Sequence, residues 1–144
     1  MTAFEKKCPN CWTPVEIYRH PFLIVDVVVI REGLVLMIER KNFPSGWALP
    51  GGFVDYGESA EAAAARELAE ETGLRARALS LLGVYSAPGR DPRFHTLTVV
   101  FTAETDGEAT AGDDAMAAKW WPVNMLPENV AFDHRKIIHD AVGR

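Results

Sequence analysis

From Gly52 to Leu74 the chain reads GFVDYGESAEAAAARELAEETGL. This stretch predicts a helix over Ser59–Thr72. Ser59 can cap its start, alanines fill its middle, and Gly73 stands where a left-handed terminal residue belongs. Ala60, Ala64 and Leu68 recur at i, i+4 and i+8 and form a packing face, with alanines small enough for close approach to a neighbouring backbone. Glu67, Glu70 and Glu71 fall at i, i+3 and i+4 and share a face of their own. Like charges at that spacing destabilise an isolated helix, so a convergent triad suggests a positive guest. The plainer alternative is a solvated acidic face partly neutralised by Arg66. Hard divalent cations such as Mg2+ take carboxylate oxygens and are often held together with substrate phosphates, and this is the reading adopted for the triad.

The rest of the 144 residues suits one mixed domain. Residues 1–20 read as an irregular, polar N-terminal tail or a short packed strand, punctuated by proline, and residues 21–144 as the folded domain. Leu23–Ile30 and Leu34–Arg40 are β-rich runs joined by Arg31-Glu32-Gly33, a hairpin signal. Trp47–Leu49 is a brief extended piece before Pro50-Gly51-Gly52. Ala78–Ser86, His95–Thr105 and Ala118–Pro122 read as strands, and Phe132–Val142 as a C-terminal helix. Helices and strands mix, so the fold class is α/β, a mixed α+β sheet covered by helices.

Charge and hydropathy narrow the function classes. The net charge of −5 argues against a nucleic-acid polymer as partner, since such binders show a basic face. It leaves room for a small anion bridged by a cation. The longest apolar run, Phe22–Ile30, is too short to span a bilayer and contains Asp26. The N-terminus lacks a signal-peptide apolar region, so no membrane association and a cytoplasmic location are expected. Cys8 and Cys11 form a C-x-x-C pair without a second pair to complete a zinc site; His20 is the nearest further candidate. Reduced thiols are the default, with zinc shared across a dimer or a disulfide as alternatives.

The ordered residues Gly52, Glu58, Arg66-Glu67-Leu68, Glu70-Glu71 and Gly73-Leu74 resemble the Nudix box with no departure at any position. Leaving the two leucines aside, its seven fixed letters, at roughly 7% usage each, coincide by chance about once in 10^8 start positions. The resemblance implies a Nudix α/β/α sandwich with a central mixed sheet. It also implies metal-ligand and catalytic roles for Glu67, Glu70 and Glu71, with Mg2+ as the ion and Mn2+ as an alternative. The Gly51 carbonyl is a further candidate ligand. Gly52, Glu58 and Arg66 are expected to support the loop and helix.

A second constellation is PGRDPRFHTLTVVF. Arginine forks match phosphate oxygens, and Pro88 and Pro92 stiffen the loop that carries them, so Arg90 and Arg93 are candidate substrate contacts. Two surface arginines paired with Asp91 are the alternative. This segment, with ENVAFDHRKIIHDAV, is similar to ADP-ribose pyrophosphatase-like Nudix proteins, although Phe94 stands where that subgroup has glycine. A loop carboxylate, Asp113 or Asp114, is the expected general base, with the helix glutamates, His95 and His134 as alternatives. Phe22, Phe53, Tyr56 and Tyr85 flank the site in sequence and could stack on a base, but core packing is the simpler fate for each.

The resemblance thus implies hydrolysis of a nucleoside diphosphate linked to another group, foremost ADP-ribose to AMP and ribose 5-phosphate. Alternatives are hydrolysis of oxidised nucleoside triphosphates and a non-catalytic ADP-ribose sensor. A sensor would need an added DNA-binding domain, for which the sequence leaves no room. The expected partner is a small nucleotide, and a homodimer is compatible with the family.

Overall fold

The computed structural model describes residues 2–112 and 115–144. A first hairpin pairs β1 (Thr2–Lys7) with β2 (Pro14–Arg19), Phe4 opposite Ile17. The tail or short strand expected over residues 1–20 is instead this hairpin; every residue of β2 is exposed, so no buried face marks it in the sequence. Cys8 and Cys11 sit in its turn as free thiols.

Two four-stranded sheets form the body. The first has the order β7-β3-β9-β8: β3 (Phe22–Val28) is parallel to β9 (Thr96–Thr105) and antiparallel to β7 (Gly51–Phe53), and β8 (Ala76–Tyr85) pairs antiparallel with β9. Flanked on both edges, β3 is buried from Ile24 onward and so reads as a continuous apolar run rather than an alternating one. In the second sheet β5 (Leu34–Arg40) is central. It takes β10 (Ala115–Pro122) on one edge, and β4 (Ile30–Arg31) and β6 (Gly46–Ala48) on the other. Glu32 and Gly33 link β4 to β5 with φ of 49° and 77°, the double left-handed geometry of a two-residue hairpin turn.

Alternate side chains of these strands serve two helices. Val27, Leu36 and Phe101 pack with Ala63, Ala64 and Leu68 of α1 (Ala60–Thr72). Val28, Val35, Met37 and Val100 pack with Ile137 and Ile138 of α2 (His134–Val142). The result is an α/β/α sandwich with a central mixed sheet. No helix among the described residues is long and apolar enough to cross a membrane.

Helix α1 forms where its caps place it. The Ser59 hydroxyl accepts from the Ala62 amide at 3.1 Å, and Gly73, at φ 73°, donates to the Ala69 carbonyl at 2.9 Å. The following loop seals its end: Thr110 N–H bonds the Thr72 carbonyl and Gly112 N–H bonds the Glu71 carbonyl, both at 2.9 Å.

Candidate active site

Strand β7 carries two adjacent glycines against the acidic helix because nothing larger fits. A Cβ on Gly51 would collide with the Asp26 carboxylate and the Val25 carbonyl, and one on Gly52 would lie 2.5 Å from the Glu67 carboxylate. The Gly51 amide donates to Glu71 Oε2 at 2.8 Å, tying strand to helix. Glu71 is pushed up to about 8, first by burial and then by Glu67 and Asp26, against the pull of the Gly51 amide. Burial also raises Glu67, while hydrogen bonding to Arg66 opposes it.

Arg66 is the hub of this wall. Its Nε and Nη2 grip both oxygens of Glu58 at 2.8 and 2.9 Å, Nη1 reaches Glu67 at 2.7 Å and Glu70 at 3.2 Å, and Nη2 also bonds the Phe53 carbonyl at 3.0 Å. Glu58 accepts in addition from the Asp55 amide at 3.0 Å, fixing the turn that enters α1. Of the glutamate triad, Glu67 and Glu71 line the cleft, together with Gly51 and Gly52, and Asp26, Asp55 and Asp91 add further carboxylates to it. Glu70 lies outside that lining with its side chain 59% exposed, against 14% for Glu67.

Cations line the same cleft. The cleft, about 380 Å³, is also lined by Arg40, Arg90, Arg93 and Phe132. The two loop arginines differ. Arg90, only 5% exposed, holds Asp133 with two bonds of 2.9 and 2.6 Å and donates to Thr96 and Thr98 at 3.0 and 2.7 Å. Most of its donors are thereby spent on the scaffold. Arg93, 24% exposed, pairs with Asp91 through Nε and Nη2 at 3.0 and 2.9 Å. Burial pushes Asp91 up, but the Arg93 hydrogen bonds win and hold it below the ordinary carboxylate range.

Sequence reasoning passed over Asp26, Arg40 and Phe132, which the fold brings to this cleft, and offered His134, which also lines it, only as an alternative base. Asp26 did leave a signal, a charge inside the apolar run that becomes β3. It is buried, as is His134, whose Nδ1 accepts from the Leu49 amide at 2.9 Å. That leaves the Nε2 proton to be donated to Asp26 Oδ2, at 3.2 Å. His134 therefore orients Asp26 with both ring nitrogens occupied, which removes it as a general base. His95 is likewise engaged with the Ser86 carbonyl at 2.9 Å. Burial lowers Arg40 below its ordinary value, Arg93 acts in the same direction, and Glu71, Asp91 and Asp26 oppose.

Among the aromatic candidates, Phe53 lines the cleft and packs against Phe22 and Phe94 with centroids 5.9 and 6.1 Å apart. Tyr56 is fully exposed, and Tyr85 donates to Asp140 at 2.8 Å beside α2. Asp113 and Asp114 lie outside the described residues.

A divalent ion fits the acidic wall by donor chemistry. Among the described residues no three His, Cys, Asp or Glu side chains already converge as a metal cage. Mg2+, however, is commonly held by one or two carboxylates plus substrate phosphates, and Glu67 and Glu71 are hard, partly desolvated oxygen donors whose raised proton affinity a cation would relieve.

Carboxylates of one helix and guanidinium groups lining one cleft, on an α/β/α sandwich, form a donor set suited to a phosphate-bearing ligand. The NUDIX domain model matches residues 20–141. The chain is 50% identical over 127 residues to an ADP-ribose pyrophosphatase of Methanocaldococcus jannaschii, covering 86% of this chain and 75% of that one. It superposes on a MutT/nudix family protein from Enterococcus faecalis with TM-score 0.81 and 33% identity, over 89% of this chain and 63% of that one. The NUDIX domain of Shewanella oneidensis NrtR complexed with ADP ribose superposes with TM-score 0.78 and 31% identity, over 88% and 90%. The chain belongs to the Nudix family, and its activity class is that of a pyrophosphohydrolase. Divalent metals are general cofactors of that family.

Proposed function

We propose that the protein hydrolyses the diphosphate of ADP-ribose, or of a close nucleoside diphosphate derivative, to AMP and ribose 5-phosphate, with Mg2+ as the ion and Mn2+ able to replace it. The observation that carries this reading is that Glu67 and Glu71 line one cleft together with Arg40 and Arg93, a set that suits a metal-bound diphosphate. The 50% identity to an ADP-ribose pyrophosphatase supports the sugar nucleotide over a triphosphate.

In this mechanism Glu67 and Glu71 would hold the cation together with the Gly51 carbonyl, Glu70 would join them from its more exposed position, and Arg66 and Glu58 would brace them. When bound, the ion neutralises phosphate oxygens and lowers the pKa of a coordinated water. Arg93 and Arg40 fix the diphosphate oxygens, while Arg90 holds Asp133 and so serves the scaffold. Asp113 or Asp114 accepts the proton of the attacking water. The support for that role is the family resemblance, in which an acidic residue on the loop before the last strand often serves as the base. Water adds to one phosphorus, the bridging P–O bond breaks, and each product leaves with a terminal phosphate.

Incubation with ADP-ribose and Mg2+ followed by product analysis tests this. Equal release of AMP and ribose 5-phosphate is expected. Turnover confined to nucleoside triphosphates would move the substrate to the other branch, and binding of ADP-ribose without turnover would indicate a sensor.

A further inference from the structure

Phe132 has φ of 55°, a left-handed backbone conformation that a bulky aromatic residue rarely adopts. Such strain persists only where the surroundings over-determine it, and it gathers at functional sites. The neighbours here do over-determine it. Ala131 donates its amide to the Trp47 carbonyl at 2.8 Å. Asp133 is gripped by Arg90 at 2.6 and 2.9 Å. His134 is held by the Leu49 amide and Asp26. Each flanking residue is bonded to a different part of the scaffold, and the ring between them lines the cleft.

That ring is shared by two cations. The guanidinium carbon of Arg40 lies 4.8 Å from the Phe132 centroid and that of Arg93 lies 5.2 Å away, both within cation–π range. The two arginines come from β5 and from the loop after β8, so nothing local in the chain relates them. Two like charges brought to one ring repel; Asp91 answers Arg93 in part, and an anion common to both arginines would relieve the remainder. Arg93 spends Nε and Nη2 on Asp91 and lies 4.9 Å from the Phe94 ring as well, and Arg40 spends Nε on the Pro44 carbonyl at 2.7 Å, so the remaining Nη groups are the donors that would meet phosphate oxygens.

We propose that Phe132 is a positioning residue: its strained backbone presents the ring as a ledge on which Arg40 and Arg93 stack, and the ledge aims both guanidinium groups at one diphosphate. This rests on the diphosphate reading of the cleft and adds the element that sets its cationic lining.

The test is binding of inorganic pyrophosphate in the presence of Mg2+, followed calorimetrically, beside ADP-ribose turnover and thermal melting. Phe132→Leu should weaken pyrophosphate binding roughly tenfold and raise KM for ADP-ribose alike, with kcat far less affected. Phe132→Tyr, which keeps the ring, should recover the affinity. In an Arg93→Ala background the leucine penalty should shrink, because part of what the ring supports is already gone. Unchanged affinity in Phe132→Leu, or an equal penalty with and without Arg93, overturns the ledge. If the leucine variant does not fold, Arg93→Lys replaces it. Its compact ammonium lacks the planar stack and should bind less tightly than Phe132→Tyr, and equal affinities overturn the proposal. Wild-type protein that ignores pyrophosphate also overturns it. Wild-type protein that binds pyrophosphate but leaves ADP-ribose intact overturns only the substrate reading.

Discussion

Glu71 does two things at once: it accepts the Gly51 amide that anchors β7 and it faces the cleft as a carboxylate raised to about 8. Glutamine at this position retains an oxygen for that amide and places no charge in a site whose burial already disfavours one. Glu71→Gln should therefore lose roughly 10^2–10^3-fold in turnover, the scale of deleting one electrostatic contributor, while its metal-free Tm does not fall. Retained turnover, or a collapsed Tm, would remove Glu71 from the metal site. Glu58 makes the opposite case. The Arg66 fork, then the Asp55 amide, hold it down to about 2 from an ordinary 4.5. The folded state thus binds this proton more weakly than the unfolded chain. The stabilisation is present above about 4.5 and is lost as pH falls towards about 2. A Tm gap between wild type and Glu58→Gln should be open at neutral pH and close through that window; a gap indifferent to acid would mean the fork does not stabilise the fold. The placing of Glu67 and Glu71 on one helix was legible because helical spacing is local, but that Glu70 falls outside the cleft lining was not. Asp26, Arg40 and Phe132 were not, because their meeting point exists only when β3, β5 and the segment before α2 are folded together.

The helix boundaries of α1 could be read from Ser59 and Gly73, since both caps act within one turn. Strand β7 could not be read from Pro50-Gly51-Gly52. Glycine carries no β preference, and the strand exists through its pairing with β3. The segment closing the C-terminal end of α1 is equally hidden. A Cβ on Gly112 would run into the Glu70 carbonyl oxygen and stand 3.1 Å from the Glu71 Cα. Gly112→Ala should cost about 1–3 kcal/mol through overpacking. Because the loop must move off the helix, turnover should fall as well, even at temperatures where the variant is fully folded. A variant with wild-type kcat and a lowered Tm would show that this loop only covers the helix end.

At the scale of the whole molecule, the pairings that join the sandwich are distant in the chain. β3 lies beside β9 with Phe22 opposite Thr96, and β5 lies beside β10 with Ile38 opposite Ala118. Neither partnership could be assigned from periodicity, which gives each strand a face but no neighbour. The arrangement also sets a clock. Long loops must close before either central pair forms, so refolding from denaturant should take milliseconds to seconds, well behind the local coiling of α1. Trp47 and Trp121, 5.2 Å apart between β6 and β10, report on closure of the second sheet. Stopped-flow fluorescence from that pair should rise together with recovered enzymatic activity. Activity returning clearly before the fluorescence would mean that the second sheet is dispensable for turnover. A newly made chain would then carry its acidic helix early and acquire a usable cleft only at the last topological step, which confines hydrolysis to finished molecules.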